Sequence, residues 1–446
     1  MSLLKPEALQ PSPIRSDLLE RNYSGASNLA FNEKIKRLNK EGQNISHFGF
    51  GQSPFPIIET AIGALQKQAH QNSYLPVQGI PELRKKICDF HKHYDQVDFD
   101  PEDVIVGPGS KELILLLLTV FNGDVLVNSP SWTTYRPQAI LTGHTAYNVD
   151  SSEEDEWKVT VTSLEKVITE NDMSYYKILI LTNPCNPTGT CYTESELRKL
   201  TEVFRRHHVL VLSDEIYARV HYTHSHVCLS KVYPEGTVLS TGMSKWASAG
   251  GWRVGYHVYP KELSHLLSVV KSAASHSFSC APAPMQYAFV EVIQNKSACD
   301  DYIKHTTRIM KVVAEFCVRE LQSVGVKVVP PKAGYYIFPN FEVIRGQLAR
   351  RGVRTCQEMC DLILSEVTVA VMPGGPDHLR PADELTTRLC YVNFDGALAL
   401  AESRKLGLDV ELDASFVEDV CTPVYQGIVK LRNWILELKT ETIEKQ

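Results

Sequence analysis

The chain has 446 residues, 43% of them hydrophobic and 22% charged, and a formal net charge of −6. This length fits a large α/β domain with a smaller companion, and it buries a core without disulfide or metal staples. The acidic balance argues against nucleic acid, whose binders carry a basic face, and eleven cysteines without a Cys-x-x-Cys pair read as the reduced thiols of a cytoplasmic protein.

Residues 1–30, rich in Pro, Ser, Asn and Leu, read as an arm with neither a signal peptide's apolar core nor a transit peptide's freedom from acids. A helix is predicted from about 31 to Gly42. "HFGFGQSPFP" (47–56) reads as a strand running into a Gly/Pro loop. The strand 103–107 leads into the helical pattern "SKELILLLLTVF". Its apolar run at 113–121 is too short to cross a bilayer and reads as a buried helix segment. Strands follow at 124–130, 177–184 and 209–215, with an amphipathic helix at 194–208. Continuous apolar strands ending in polar loops predict a mostly parallel sheet covered on both faces. In such sheets the ligand sits beyond the carboxyl ends of the strands. After residue 300 the pattern changes to a long helix at 301–325, the stretches "VKVVPPKAGYYIFPNF" and "VTVAVMPGG", and a final helix near 425–440. The expected division is an N-terminal arm and joining segment (1–50), a large domain (51–300) and a small α/β domain (301–446) that takes in the joining segment.

The chemistry concentrates at strand ends. "STGMSKWASAGGWRVGY" (240–256) sets Lys245 among small residues that let a flat cofactor approach the backbone, with Arg253 eight residues on. A lysine amine is a nucleophile once deprotonated or condensed to an imine, and a guanidinium suits a phosphate. Together they suggest a phosphorylated aldehyde held as a Schiff base, although a lysine followed by an arginine is also a common solvated surface. In "VLSDEIYARV" a strand delivers Asp214 at its carboxyl end and Tyr217 three residues later. A carboxylate there keeps a pyridine nitrogen protonated, although an Asp after a strand is also a common helix cap. "TNPCNPTGT" (182–190) is a turn-dense loop that places Asn186 at the sheet edge. "GPGSKELI" (107–114) offers the N–H groups of a helix start and the Ser110 hydroxyl to a phosphate. Trp132 in "SPSWTTY" follows a strand, where it either stacks on a ring or fills the core. His224 and His226 read as a solvated loop, and Cys356 and Cys360 as one helix face without further metal ligands.

These stretches, in this order over nearly the whole chain, resemble the class I/II aminotransferases, fold-type I pyridoxal-phosphate enzymes of the aspartate aminotransferase type. "SYLPVQGIPELR" (73–84), "CNPTG", "SDEIY", "SKWASAGGWRVGY" and "TRLCYV" (387–392) carry the resemblance. It implies a transferase that moves an amino group between an L-amino acid and a 2-oxo acid by a ping-pong mechanism, with pyridoxal 5'-phosphate as cofactor. It also implies roles. Lys245 forms the Schiff base and shuttles the proton, Asp214 pairs with the ring nitrogen, and Asn186 and Tyr217 contact the phenolic oxygen. Trp132 stacks on the ring, while Ser110, the Lys111 backbone N–H and Arg253 hold the phosphate. Tyr74 reaches the phosphate of a neighbouring subunit, which makes a homodimer with shared sites. Arg388 grips the substrate carboxylate, with the Gly51 backbone opposite. Departures from the family pattern are Gly242, where a serine is usual, "GQSPF" (51–55) in the N-terminal loop, and Cys390 in place of a serine, expected to be packing. The same motifs serve lyases and aminocyclopropane-carboxylate-synthase-like enzymes, the alternative reading. A cofactor-binding sensor would need a DNA-binding module for which 1–30 has no room.

Overall fold

The computed structural model describes residues 27–440 and, before them, Arg15 and Leu18, so most of the expected arm lies outside the described residues. A two-residue strand β1 (Ser46–His47) precedes the main sheet. That sheet is built from β2 (Val104–Gly107), β3 (Asp124–Ser129), β4 (Ala146–Asp150), β5 (Lys177–Thr182), β6 (Val209–Asp214), β7 (Thr237–Gly242) and β8 (Gly255–Val258). Its seven strands lie in the order β2-β8-β7-β6-β5-β3-β4. Strands β4, β3, β5, β6 and β7 run parallel, and β8 is antiparallel to both its neighbours. Every residue of β2, β3, β5, β7 and β8 is buried. Burial on both faces explains the Val/Ile/Leu runs of β2, β3 and β5. One cover is the helix Ser110–Val120, whose Leu113, Ile114 and Leu116–118 are buried, so the apolar run at 113–121 is indeed core.

The remaining strands are short: β9 (Tyr336–Ile337), β10 (Val369–Ala370), β11 (Met372–Pro373) and β12 (Thr387–Cys390). β11, β12 and β9 form an antiparallel sheet, while β1 pairs in parallel with β10. The long helix runs Lys296–Ser323 rather than 301–325. It starts early because the Asn295 side chain accepts the Ala298 N–H at 3.2 Å, a side-chain N-cap. The strand expected to run into a Gly/Pro loop within 47–56 ends at His47, and the loop follows directly. The carbonyls of Gly49 and Gly51 serve the side chains of Arg388 and Lys245 instead of a ladder.

Candidate active site

At the carboxyl ends of β5 and β6 lies a cavity of about 530 Å³. The fold converges nine of the expected residues and Gly51 on it, brought there by separate elements of the sheet and its loops. Ser110 and Lys111 open the helix after β2, and Trp132 follows β3. Asn186 follows β5, Asp214 ends β6, and Lys245 and Arg253 lie in the loop between β7 and β8. Arg388 comes across from β12, and Tyr217 follows Asp214. Tyr74 does not join them: it is 90% exposed and outside the cavity of its own chain.

Lys245 Nζ donates to the Gly51 carbonyl at 2.5 Å and sits 5.4 Å from the centroid of the Tyr217 ring. Burial pushes its pKa down to about 8; the Cys390 thiol opposes this, and the Arg388 guanidinium adds to it. Cys390 packs into this site as a neutral thiol. It is fully buried beside both cations, and burial pushes its thiol up to about 11. Asp214 Oδ2 accepts the Tyr135 hydroxyl at 2.7 Å, and Oδ1 accepts the Ile216 N–H at 3.2 Å. Burial raises the Asp214 carboxyl to about 6, with the Tyr135 bond pulling the other way.

The opposite end of the cavity is built for an anion. The helix Ser110–Val120 opens there with N–H groups that no earlier turn can satisfy. Gly109 precedes it at φ +92°, and a Cβ added there would lie 1.9 Å from Arg253 Nη2. Gly255 approaches as closely, since its Cβ would lie 2.3 Å from the Ser110 nitrogen. Arg253 takes a left-handed φ of 53° and donates to the Gly250 carbonyl at 2.8 Å, which fixes the guanidinium beside the helix start. Lys111 Nζ lies over the Trp132 ring at 4.7 Å, and burial lowers its pKa. Position 242 is closed to any side chain, because a Cβ would meet the Val254 carbonyl oxygen at 2.7 Å and Gly255 Cα at 2.8 Å. The glycine there is a packing requirement of this chain.

Arg388 is 1% exposed. Its Nη2 donates to the Gly49 carbonyl at 2.6 Å, and its Nε is buried without a protein partner. Asn186 Oδ1 is likewise buried and unpartnered. Unsatisfied polar atoms of this kind are rare inside proteins and fit a site shaped for a ligand. The donor set matches a phosphorylated pyridine aldehyde: an amine of lowered pKa, a carboxylate, an amide, a flat aromatic wall and an anion cradle.

Two further tyrosines line the cavity. Tyr135, three positions after Trp132, reaches Asp214. Tyr336, in the quoted "GYY", bonds the Tyr217 hydroxyl at 2.6 Å and lies face-on to Arg388 at 5.3 Å. No spacing rule flags Tyr135. His226 is also corrected: its side chain is 3% exposed and its Nε2 meets Glu215 Oε2 at 2.6 Å, so it is a buried partner of an acid.

The sequence matches the family model "Aminotransferase class I and II" over residues 43–397. It is 32% identical over 371 residues to an aspartate aminotransferase of Geobacillus stearothermophilus, covering 80% of this chain and 91% of that one. It is 30% identical to a probable aspartate/prephenate aminotransferase of Rhizobium leguminosarum bv. phaseoli, covering 82% and 92%. In fold it is similar to the aspartate aminotransferase of Thermus thermophilus solved with maleate. The TM-score is 0.77 at 24% identity, over 88% of this chain and 98% of that one.

Proposed function

The chain belongs to the class I and II aminotransferases, pyridoxal 5'-phosphate-dependent transferases, and we propose how its residues divide the work and what it acts on. The observation that carries the reading is one cavity holding a buried Lys245 amine of lowered pKa, the buried carboxylate of Asp214 and the buried guanidinium of Arg388. The bound cofactor supplies an aldehyde for the amino group and a ring that accepts the electrons left when the α-proton departs. The protein's part is binding, orientation and proton movement. Ser110, the Lys111 N–H and Arg253 hold the phosphate. Asp214 would hold a proton on the ring nitrogen, Asn186 and Tyr217 would meet the phenolic oxygen, and Trp132 would cover the ring and exclude water from it. Arg388 binds the α-carboxylate, with the Gly51 backbone opposite. Lys245, as a free amine, would remove the α-proton and return it. The 2-oxo acid product leaves before the second 2-oxo acid enters, which gives ping-pong kinetics.

Aspartate is the proposed donor and 2-oxoglutarate the proposed acceptor. Four cationic side chains (Lys111, Lys245, Arg253, Arg388) and a single carboxylate line the cavity, which favours anionic ligands, and the relatives described above carry aspartate in their names. The division at 50 and 300 belongs to the same proposal; the pairing of β1 with β10 supports joining the N-terminal segment to the C-terminal unit. So does a cytoplasmic homodimer in which the exposed Tyr74 completes the partner's phosphate site. Among the described residues no helix is long and apolar enough to cross a membrane.

A panel of amino donors with 2-oxoglutarate or pyruvate tests the reaction. Acceptor-dependent formation of the donor's 2-oxo acid, with aspartate the best donor, supports it; ammonia release without an acceptor overturns it in favour of a lyase. Mixing Lys245→Ala and Tyr74→Phe subunits tests the dimer. If Tyr74 serves its partner, each hybrid regains one intact site, and activity exceeds the sum of the two parents.

A further inference from the structure

Tyr135 heads the helix Tyr135–Leu141 and is 1% exposed, yet neither the family stretches nor the roles above use it. Its hydroxyl donates to Asp214 Oδ2 at 2.7 Å and lies 2.9 Å from Thr182 Oγ1 at the end of β5. A phenol has one proton. With that proton committed to the carboxylate, the Thr182 hydroxyl must donate to the Tyr135 oxygen. The chain of bonds therefore runs in one direction: Thr182 to Tyr135 to Asp214.

Asp214 needs such help. It is 3% exposed, and among the described residues no cation lies within ion-pair distance of it. The groups acting on it are few. Lys245, from the loop after β7, favours its charge. Glu215, its neighbour in sequence, opposes it, and the Ile216 N–H gives one bond at 3.2 Å. A buried carboxylate without partners takes up a proton instead of staying charged.

We propose that Tyr135, oriented by Thr182, is the positioning residue that keeps Asp214 ionised and leaves its free lone pairs for the cofactor's ring nitrogen. The inference rests on the reading of Asp214 given above. Burial alone raises the Asp214 carboxyl and the Tyr135 bond lowers it, with the balance at about 6. Losing a hydrogen bond to a charged group shifts a titration by about one to two pH units. The direction is upward, because the lost bond favoured the anion. Loss of the Thr182 hydroxyl shifts it the same way by less, since Tyr135 then loses only the partner that polarises it.

The test uses apoprotein, so that turnover plays no part. The protonated-carboxyl infrared band is titrated in wild type, Tyr135→Phe and Thr182→Val, and assigned by its absence in Asp214→Asn. The expected wild-type midpoint lies near pH 6, with Tyr135→Phe about one to two units higher and Thr182→Val between them. A midpoint unmoved in Tyr135→Phe overturns the proposal, as does one unmoved in Thr182→Val should the first variant fail to fold. Adding pyridoxal 5'-phosphate to wild type should remove the band throughout this range, because a cationic ring nitrogen holds the carboxylate charged. If the variants shift as expected but the cofactor leaves the band unchanged, Tyr135 keeps its role and the placement of Asp214 against the ring is overturned.

Discussion

The lowered pKa of Lys245 makes a quantitative claim about how the apoprotein captures its cofactor. An exposed lysine titrating at its ordinary value of 10.5 has roughly one amine in a thousand free at pH 7.5. At about 8, roughly a quarter is free, an advantage on the order of 200-fold. Burial is the main cause and the nearby Arg388 charge a secondary one. Two perturbations separate them: pH itself, and Arg388→Met, which removes the cation but keeps the site apolar. Stopped-flow absorbance after mixing apoprotein with pyridoxal 5'-phosphate reads the rate between pH 6 and 10. The rate should level off above a midpoint near 8 in wild type, and the midpoint should move upward in Arg388→Met. Borohydride followed by peptide mapping should find the adduct on residue 245. Lys245→Ala should form none and lose at least roughly 10²- to 10⁴-fold in turnover, the contribution of a general acid–base group alone. A rate still climbing tenfold per pH unit through pH 9 would show an ordinary lysine and refute the reasoning.

Three further outcomes follow from the same geometry. Asp214→Asn should abolish turnover yet stabilise the apoprotein at neutral pH. Because the folded value of about 6 lies above the ordinary carboxylate value, this group withdraws stability as pH rises from 4 through 6. The advantage of the variant should grow by up to about 3 kcal/mol between pH 4 and 7, and urea midpoints that keep a constant gap across that range would contradict it. Gly109→Ala places a methyl on Arg253 Nη2 at a φ of +92°, so cofactor affinity should fall roughly 10- to 100-fold by fluorescence titration, the worth of one charged hydrogen bond; unchanged affinity would remove Arg253 from the phosphate site. Arg388→Lys loses the two-pronged grip on a carboxylate and should lower kcat/KM roughly 10- to 150-fold, mainly through KM, whereas an effect confined to kcat would assign it elsewhere.

Some of this protein could be read directly from its residues. Continuous apolar strands announced the mostly parallel sheet, and the rule that ligands bind beyond strand ends led to Lys245, Asp214, Asn186 and Ser110, each of which lines the cavity. The limits of the short elements were harder to read. The stretch 47–56 leaves its strand after His47, and in the loop that follows the Gly49 and Gly51 carbonyls bond side chains from residues 339 and 194 positions further along the chain. No local pattern carries that information.

The sequence by itself determined the reactive groups and the order in which the strands present them, because hydrophobic periodicity and turn chemistry act over a few residues. Only the tertiary structure decided how those groups behave. It buried Lys245 and Asp214 and so moved both toward neutral pH, brought Tyr135 and Thr182 to the carboxylate, seated Tyr336 between Tyr217 and Arg388, and left no room for a side chain at position 242. Desolvation and hydrogen bonding depend on which atoms stand within a few ångströms in space, and that proximity is made by folding.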